Sequence, residues 1–319
     1  MARSTAAWRN LAVCGHASAG KTTLVDRLLA ATGAVSGNPD VTHQTSICDF
    51  EEEEKVHGHS IESSLVHLSH GDTNFNLIDT PGYSDFVGGM VGAIAAVDTA
   101  LVCINCHDGI QPNTRRAMDE AEKAGIARMI VITKMDDPQS NFKALLEQCR
   151  ELWGNTVVPL QVPIGQGESF SGVSSTVDLP GEAKGAVINL AHAHEQMVEK
   201  LVETDESVME RYFDGVMPDV PTLKRLLKRA IANGSLIPVM CVGATQGVGL
   251  KELLEKLAEL APTPEDIKRT AVDADGNPVT LEQTAEAPLA AQVFKVRVDP
   301  FVQKLSYVRI FGGSLEKDQ

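Results

Sequence analysis

Hydrophobic and polar positions follow one another along the chain in a repeated strand–helix order. Short apolar runs such as Leu11–Cys14 and Ala127–Ile132 have the length and composition of buried strands. Strands alternate with helical patterns from Asn10 to about Leu260. This alternation predicts an α/β fold whose parallel-type sheet is covered by helices on both faces. Ligands bind such a sheet at the carboxyl ends of its strands.

One helix near the end of this region is especially clear. Its leucines recur at helical spacing and form one apolar stripe, made of Leu250, Leu253, Leu254, Leu257 and Leu260. Pro262 and Pro264 follow and end the helix. We interpret the stripe as core packing rather than as a cofactor-binding surface. Residues 1–262 are therefore predicted to form one domain.

Two regions depart from the alternation. Between about residues 155 and 235, glycine-rich loops and an acidic helix, predicted from His194 to Phe213, interrupt the pattern. We expect an inserted subdomain there. Residues 263–287 are polar and contain the turn sequence Asp275–Pro278, which is typical of a linker.

The last segment, residues 288–319, has the period-two pattern of β-strands. Apolar and basic side chains alternate in the run Phe294, Lys295, Val296, Arg297 and Val298. This pattern predicts the first strands of a β-barrel domain. We expect the chain to end inside that domain, because Gly312–Leu315 has the sequence of an early turn.

A phosphate-binding loop stands between the first predicted strand and a helix. The pattern Gly-x-x-x-x-Gly-Lys-Thr is formed by Gly15, His16, Ala17, Ser18, Ala19, Gly20, Lys21 and Thr22. In this setting the backbone N–H groups of the loop and the helix N-terminus point at one anion. We expect Lys21 to neutralise the β- and γ-phosphates and the Thr22 hydroxyl to bind Mg²⁺. The sequence therefore predicts a nucleotide-binding protein.

A second motif is predicted to meet the far end of the phosphates. It follows a buried-strand pattern and consists of Asp79, Thr80, Pro81 and Gly82. Asp79 can hold Mg²⁺ through water. The Gly82 N–H can reach the γ-phosphate, because glycine allows close backbone approach.

A third motif selects the base. Another predicted strand is followed by Thr133, Lys134, Met135 and Asp136. A carboxylate there accepts hydrogen bonds from both N1–H and the 2-amino group of guanine, a pair of donors that adenine lacks. The Lys134 stem can lie along the purine face. The predicted ligand is GTP, with an ATP-using P-loop enzyme as the alternative.

Together these motifs resemble those of the translational GTPases and, within them, of elongation factor G. The likeness runs from about Arg9 to the last residue, and its further specific parts are Asp79–Phe86, Asp108–Pro112, Leu289–Lys295, Asp299–Phe301 and Leu305. The resemblance implies a P-loop GTPase domain with an inserted α/β subdomain, followed by the start of an all-β barrel domain. It also implies GTP/GDP and Mg²⁺ as ligands, and the ribosome, through its RNA and proteins, as the partner.

Several residues depart from the elongation factor G pattern, which makes the chain similar to the elongation-factor-G-like paralogues. Tyr83 follows Asp-Thr-Pro-Gly where the family has a His that positions the attacking water. A phenol with a pKa of about 10 cannot take the protonation role of an imidazole near neutral pH. Ser18 replaces the P-loop Asp, and Ala17 is the apolar residue before it. The candidate catalytic residues are Lys21, Gly82 and Tyr83, where Tyr83 either positions water or only packs.

The other departures are milder. Ser60 aligns with the Thr of switch I and keeps its hydroxyl, so Thr22, Ser60 and Asp79 are the candidate metal ligands. Thr133 stands where the guanine motif has Asn and therefore lacks the amide. Gly243–Ala244 corresponds to the last base-contacting motif, whose backbone N–H to guanine O6 is kept.

Charge restricts the choice of partners. The net charge is −15, from 43 acidic and 28 basic residues, which disfavours broad neutralisation of RNA phosphates. Ribosome contact is therefore expected through local basic patches or protein partners. The acidic run from Asp49 to Glu54 is expected to be a solvated face, in switch I by resemblance. The acidic helix of the insertion is either solvated or a surface for ribosomal proteins.

The cysteines change the picture little. Six are present without a disulfide framework, which fits a reducing compartment. Cys103, Cys106 and His107 match a haem-attachment pattern, but Cys103 lies inside a predicted strand. We therefore expect no haem, and we expect no zinc either, because zinc binding by the same cysteine pair with any of the nine scattered histidines is equally weakly supported. We recognise no targeting segment, and glycines interrupt the apolar stretch from Val87 to Ile104, so no membrane contact is expected.

The sequence thus favours a cytoplasmic, monomeric GTPase that resembles elongation factor G. Such a protein hydrolyses GTP to GDP and phosphate on the ribosome, in translocation or a related step. Tyr83 and Ser18 leave a second hypothesis open. It is a slow or hydrolysis-impaired GTP-dependent switch, or a ribosome-protection factor, that binds ribosomes without driving translocation.

Overall fold

The computed structural model describes residues 4–178, 181, 183–299 and 303–316. Its strands are β1 (Trp8–Cys14), β2 (Ser64–His70), β3 (Thr73–Asp79), β4 (Thr99–Asn105), β5 (Ala127–Thr133), β6 (Val157–Pro159), β7 (Gln161–Ile164), β8 (Gly172–Ser175), β9 (Ile237–Cys241), β10 (Thr270–Val272), β11 (Pro278–Thr280), β12 (Ala290–Asp299) and β13 (Gln303–Gly312). Its α-helices are α1 (Lys21–Ala31), α2 (Glu52–His57), α3 (Val87–Ala96), α4 (Pro112–Lys123), α5 (Phe142–Trp153), α6 (Leu190–Val202), α7 (Glu206–Phe213), α8 (Val220–Ala232) and α9 (Leu250–Leu260).

The main sheet has seven strands in the order β2-β3-β1-β4-β5-β9-β6. β2 runs antiparallel to β3, and the other neighbouring pairs are parallel. The predicted α/β fold with a parallel-type sheet is thus confirmed. Because β1, β3 and β5 run in the same direction, the segments that follow Cys14, Asp79 and Thr133 all leave the sheet at one edge.

Both faces of the sheet are buried, because alternate side chains of a strand enter different halves of the core. Leu11 and Val13 of β1 pack in the half that contains α1, α6, α8 and α9. Ala12 and Cys14 pack in the half that contains α3, α4 and α5. All five leucines of the α9 stripe are buried in the first half, which confirms that the stripe is core.

The cysteines of the haem-like pattern also divide between the two halves of the core. Cys103 of β4 lies in the half with α1, and Cys106 lies in the half with α3. All six cysteines are free thiols in buried positions. Burial raises the pKa of Cys103 to about 12 and that of Cys106 to about 11.

The region between β6 and β9 carries the antiparallel pair β7–β8 and helices α6 to α8. The prediction of one acidic helix from His194 to Phe213 is wrong, since α6 ends at Val202 and α7 begins at Glu206. Asp205 causes the break, because its carboxylate accepts a hydrogen bond from the Val208 N–H and caps α7. β6, which falls in the range predicted for the insertion, pairs with β9 in the main sheet.

The segment predicted as a linker contains the antiparallel pair β10–β11, whose connection includes the predicted turn around Gly276. Beyond it, β12 and β13 form a long antiparallel pair, as the period-two pattern predicted. Pro300 and Phe301, which belong to the family resemblance, lie outside the described residues.

The β12–β13 pair rests on the first domain through basic side chains. Arg309 donates hydrogen bonds to both carboxylate oxygens of the fully buried Asp98, each at 3.0 Å. Lys295 Nζ donates to the Ser63 carbonyl at 2.6 Å, and Arg297 donates to Glu51 at 2.9 Å. The alternating pattern therefore directs its basic side chains to the first domain, while the alternate valines, Val296 and Val298, are exposed.

Candidate nucleotide site

The loop between β1 and α1 passes close to β4 because a glycine allows it. Gly15 has a φ of 137°, and a Cβ there would overlap the carbonyl oxygen of Cys103. Gly20, with a φ of 76°, is the N-cap of α1 in the left-handed region. The helix therefore begins at Lys21, and its first backbone N–H groups lack helical acceptors and face the loop. This arrangement binds anions.

Lys21 lies at the centre of the loop. Its side chain is buried, and Nζ donates a hydrogen bond to the His16 carbonyl at 2.8 Å. Burial lowers the pKa of Lys21, whereas the nearby Asp79 carboxyl group raises it. The ammonium group keeps further N–H donors beyond the one that His16 accepts. Those donors suit phosphate oxygens, as the sequence predicted.

The three predicted metal ligands lie together at the start of α1. Thr22 Oγ1 donates to Asp79 Oδ2 at 2.7 Å and lies 3.1 Å from Ser60 Oγ. Neighbouring ligands of octahedral Mg²⁺, each about 2.1 Å from the ion, are about 3 Å apart. The two hydroxyl oxygens therefore have the spacing of adjacent Mg²⁺ ligands.

The carboxylate beside these hydroxyls also fits a cation. Asp79 Oδ1 is buried and has no hydrogen-bond partner within the described part of the chain. Burial raises the pKa of Asp79 to about 7, although Lys21 and Thr22 lower it. A divalent cation, or water bound to it, would satisfy this oxygen and favour the ionised carboxylate. Thr22, Ser60 and Asp79 thus suit Mg²⁺.

Ser60 is positioned by carboxylates that the sequence analysis assigned to a solvated face. Glu54 is fully buried, and its Oε1 accepts hydrogen bonds from the N–H groups of Ile61 at 2.9 Å and Glu62 at 3.0 Å. Asp49 is also buried and accepts from Ser60 Oγ at 2.8 Å. The solvated-face prediction is wrong for Glu54 and Asp49, because buried N–H groups of the following turn need acceptors.

The guanine motif is joined to the phosphate loop by Thr133, at the end of β5. Its hydroxyl is buried and donates to the Ala19 carbonyl at 2.7 Å. The hydroxyl thus makes a direct link between the base motif and the phosphate loop, although the residue has no amide group. Met135 is fully buried, and its N–H donates to the Val242 carbonyl at 3.3 Å, which ties the motif to the end of β9.

The two base-contacting motifs meet at Asp136. A Cβ added to Gly243 would lie 3.4 Å from Asp136 Oδ1 and 3.2 Å from the ring of Phe170. Ala244 follows directly and is buried. The structure therefore brings the predicted carboxylate and the predicted backbone N–H donors to one place. Lys134, half-buried with a φ of 53°, lies between this place and the phosphate loop.

At the opposite end, the segment after β3 presses against the phosphate loop. Thr80 is held by a hydrogen bond from its hydroxyl to the Val13 carbonyl at 2.8 Å. A Cβ on Gly82 would lie 2.6 Å from the Ala17 nitrogen, so this close approach requires glycine. Asn113 Nδ2 donates to the Gly82 carbonyl at 2.8 Å.

Tyr83 does not enter the core. Its side chain is 44% exposed, and its ring stands edge to face against His59, with 4.7 Å between ring centroids and 61° between planes. His59 is the residue before the metal-ligand candidate Ser60. Thus loops that follow α2 and β3 meet through two rings at the γ-phosphate end.

A cavity of about 320 Å³ is lined by the phosphate loop, Ser60, Gly82, Tyr83 and Lys134, whereas Asp136 and Gly243–Ala244 are not part of its lining. A larger cleft of about 710 Å³ lies elsewhere, between α8 and the segment after α4. The smaller cavity is the candidate nucleotide site, because helix N–H groups, a buried lysine and the metal-ligand candidates converge there.

Sequence reasoning missed five residues that shape the site: Asp49, Glu54, His59, Asn113 and Phe170. Asn113 and Phe170 lie far along the chain from the motifs that they contact, so no local pattern indicated them. The signal for Glu54 was its spacing from Glu51, since the Glu54 carboxylate accepts from the Glu51 N–H at 3.1 Å. That spacing resembles a helix capping box.

A family model described as the elongation factor Tu GTP binding domain matches residues 6–263. An elongation factor G-like protein of Mycobacterium tuberculosis is 34% identical over 97% of this chain and 45% of its own length. Elongation factor G of Rhodopseudomonas palustris is 31% identical over 97% of this chain and 47% of its own length. The chain thus spans about half the length of these relatives.

The same likeness holds in three dimensions. A crystal structure of a protein from Thermus thermophilus superposes with a TM-score of 0.83 and 32% sequence identity. The match covers 97% of this chain and 46% of that protein. Among the described residues, no helix has both the length and the apolar character needed to cross a membrane.

Proposed function

This chain belongs to the family of the elongation factor Tu GTP-binding domain, and from that premise we propose that it binds GTP with Mg²⁺ and hydrolyses it on the ribosome. The products are GDP and inorganic phosphate, and the reaction accompanies translocation or a related step of translation. The protein acts as a cytoplasmic monomer. Its relatives named elongation factor G and elongation factor G-like protein support this assignment.

One observation carries the proposal more than any other. The Thr22 and Ser60 hydroxyls come from distant segments and approach to 3.1 Å beside the Asp79 carboxylate. Ser60 lies 38 positions after Thr22 and is held in place by Asp49, so the two hydroxyls meet through the fold and not through local sequence. Thr22, Ser60 and Asp79 would hold Mg²⁺, which takes oxygen ligands of this kind when it is bound to phosphates.

Each residue then has a defined part. Lys21 and the loop N–H groups bind the β- and γ-phosphates, and the Gly82 N–H donates to the γ-phosphate. Asp136 accepts from guanine N1–H and the 2-amino group, and the Ala244 N–H donates to guanine O6. Mg²⁺, when bound, neutralises charge on the β- and γ-phosphates. Preorganised donors at these points hold the γ-phosphate in line for attack by water.

The test is GTP hydrolysis with and without ribosomes, using this chain and the longest chain that its gene encodes. We expect ribosomes to stimulate turnover in at least the longer form. Lys21→Ala is the control, because it removes the central cation and should abolish both nucleotide binding and turnover. If the wild-type chain binds GTP no more tightly than the Lys21→Ala variant does, the proposal is refuted.

A second candidate function rests on Tyr83. Its phenol stands where the family's water-positioning imidazole is expected, which suits a slow switch that occupies ribosomes without driving translocation, as in a ribosome-protection factor. Tight GTP binding without ribosome stimulation would favour this candidate. In that case Tyr83→His should raise ribosome-stimulated turnover, and an unchanged rate would show that residue 83 does not limit hydrolysis.

A further inference from the structure

The γ-phosphate end of the cavity holds an imidazole that the family resemblance does not account for. His59 precedes Ser60 in the segment that resembles switch I, and its ring contacts the ring of Tyr83, which follows Asp-Thr-Pro-Gly. We propose that His59 supplies the imidazole that positions the attacking water, and that Tyr83 is a positioning residue that orients His59. This inference rests on the proposed GTP hydrolysis. It moves the water-positioning role from the residue after Asp-Thr-Pro-Gly to the segment before β2.

The backbone places His59 beside the reacting phosphate. Its neighbour Ser60 is held by Thr22 at 3.1 Å and by Asp49 at 2.8 Å. Its own N–H donates to the Glu54 carbonyl at 3.3 Å. His59, Gly82 and the phosphate loop line the same cavity. The ring is therefore fixed next to the groups expected to hold Mg²⁺ and the γ-phosphate.

One ring nitrogen of His59 has a hydrogen-bond partner. His59 Nδ1 lies 3.2 Å from the His57 carbonyl oxygen. A carbonyl oxygen only accepts hydrogen bonds, so Nδ1 carries the proton in this contact. In the neutral ring Nε2 is then an acceptor with a free lone pair. An acceptor of this kind is what a water needs if it is to direct its own lone pair at phosphorus.

Tyr83 limits the orientations open to His59. The Tyr83 backbone is anchored through Gly82, whose carbonyl accepts from Asn113 at 2.8 Å. The rings meet edge to face with centroids 4.7 Å apart, a favourable arrangement for aromatic pairs. This contact needs the tyrosine ring and not its hydroxyl. Of the two roles open to Tyr83, this proposal gives it packing: its ring packs against His59, and His59 positions the water.

The reaction balances without any further reactant. The water oxygen, held by His59 Nε2, forms a bond to the γ-phosphorus. The bond between that phosphorus and the β–γ bridging oxygen breaks, and its electron pair leaves with GDP. Both protons of the water end on the inorganic phosphate. His59 orients the water and gains no proton overall.

The experiment compares His59→Phe, His59→Gln and Tyr83→Phe in the full chain. Single-turnover hydrolysis at saturating GTP, with and without ribosomes, gives the rate of the chemical step. Binding of a non-hydrolysable GTP analogue and of GDP with aluminium fluoride is measured in parallel. His57→Phe is the matched control, because it removes a neighbouring imidazole but keeps the backbone carbonyl that His59 contacts. Thermal unfolding verifies that each variant folds.

His59→Phe keeps a ring against Tyr83 and loses the acceptor nitrogen. We expect its single-turnover rate to fall about 100-fold, with GTP-analogue affinity changed less than about 3-fold. Its affinity for GDP with aluminium fluoride, which mimics the transition state, should fall markedly. His59→Gln should recover part of the rate, because an amide oxygen also accepts from water. Tyr83→Phe keeps the ring contact and loses only the hydroxyl, so its rate should fall much less than that of His59→Phe.

The outcomes separate this inference from the proposed function. If the wild type hydrolyses GTP and His59→Phe does so at the same rate, the role of His59 is overturned and the GTPase assignment stays intact. A large loss in Tyr83→Phe with none in His59→Phe would assign the water to the tyrosine hydroxyl and overturn the inference. If the wild-type protein binds GTP without hydrolysing it, the test is the affinity for GDP with aluminium fluoride. Equal affinities of the wild type and His59→Phe would then refute the role of His59. Absence of GTP binding by wild type would refute both proposals.

Discussion

The guanine end and the γ-phosphate end of the site are built in different ways. Thr133 is the last residue of β5, and Asp136 follows closely. Gly243–Ala244 lie just beyond the end of β9, and both strands are in the interior of the main sheet. Ser60 and Tyr83 lie in loops outside the sheet, before β2 and after β3. At the guanine end the backbone is held by strand pairing and burial. At the γ-phosphate end it is held by side chains such as Glu54 and Asn113.

This difference shows how each end tolerates sequence change. At the guanine end, the Thr133 hydroxyl reaches the Ala19 carbonyl from a strand that is paired on both sides. A different residue at position 133 therefore leaves the backbone of the guanine motif in place, provided that its side chain can still donate a hydrogen bond to the Ala19 carbonyl. At the γ-phosphate end, positions are set by contacts between loops, so functional groups can exchange places, as we propose for His59 and Tyr83. Four substitutions test this contrast, from the largest expected effect to the smallest.

Asp136→Asn should weaken GTP binding about 100-fold, because the amide keeps only one acceptor oxygen, loses the charge, and turns a donor toward the 2-amino group of guanine. The effect should be equal for GTP and GDP, since both contain guanine. Equilibrium titration with fluorescent nucleotides measures it. Xanthosine nucleotides are the control: their 2-oxo group accepts from the new amide, so their affinity should rise. Retained guanine preference would contradict the assignment of Asp136.

Glu54→Ala should weaken GTP binding about 20-fold, because the N–H groups of Ile61 and Glu62 lose their charged acceptor. GDP affinity should change little, since switch I closes on the γ-phosphate side. Comparing the two dissociation constants for the variant isolates this end of the site. Glu53→Ala, at an exposed position of the same helix, is the matched control. Equal losses of affinity for GTP and GDP would contradict the proposed difference between the guanine end and the γ-phosphate end.

Thr133→Val should weaken both nucleotides about 10-fold, because the Ala19 carbonyl loses its buried donor. The shape of the side chain is kept, so the effect reports the hydrogen bond rather than a cavity. Isothermal titration with GTP and GDP measures the change. Thr133→Ser retains the hydroxyl and should bind almost as the wild type does. An unaffected Thr133→Val variant would show that strand pairing alone fixes the phosphate loop.

Ser18→Asp should have the smallest effect, weakening both nucleotides about 3-fold through repulsion at an exposed position. Ser18 has a φ of 61°, a conformation that aspartate tolerates well. Because the charge is exposed, the effect should decrease as salt is raised. Affinities measured at low and at high ionic strength give this dependence. A large, salt-independent loss would indicate a change of loop conformation instead.

Most of the fold and the guanine end were predictable from local sequence. The strand–helix alternation gave the parallel-type sheet, and the leucine spacing of α9 gave its buried face. The phosphate and guanine motifs were recognised because each lies within a few consecutive residues. The insertion was harder: its acidic pattern continued through Asp205, whose carboxylate in fact caps a second helix. The spacing of apolar residues does not indicate where a side chain caps a new helix.

By itself, the sequence predicted which groups would bind phosphate, metal and base, because backbone loops and strand ends place neighbouring residues in fixed relations. Only the tertiary structure decided how distant segments meet. It buried Glu54 and Asp49, paired His59 with Tyr83, and joined Arg297 of β12 to Glu51 before α2. The physical reason is that buried donors and charges need partners, and chain topology alone determines which partners come within reach.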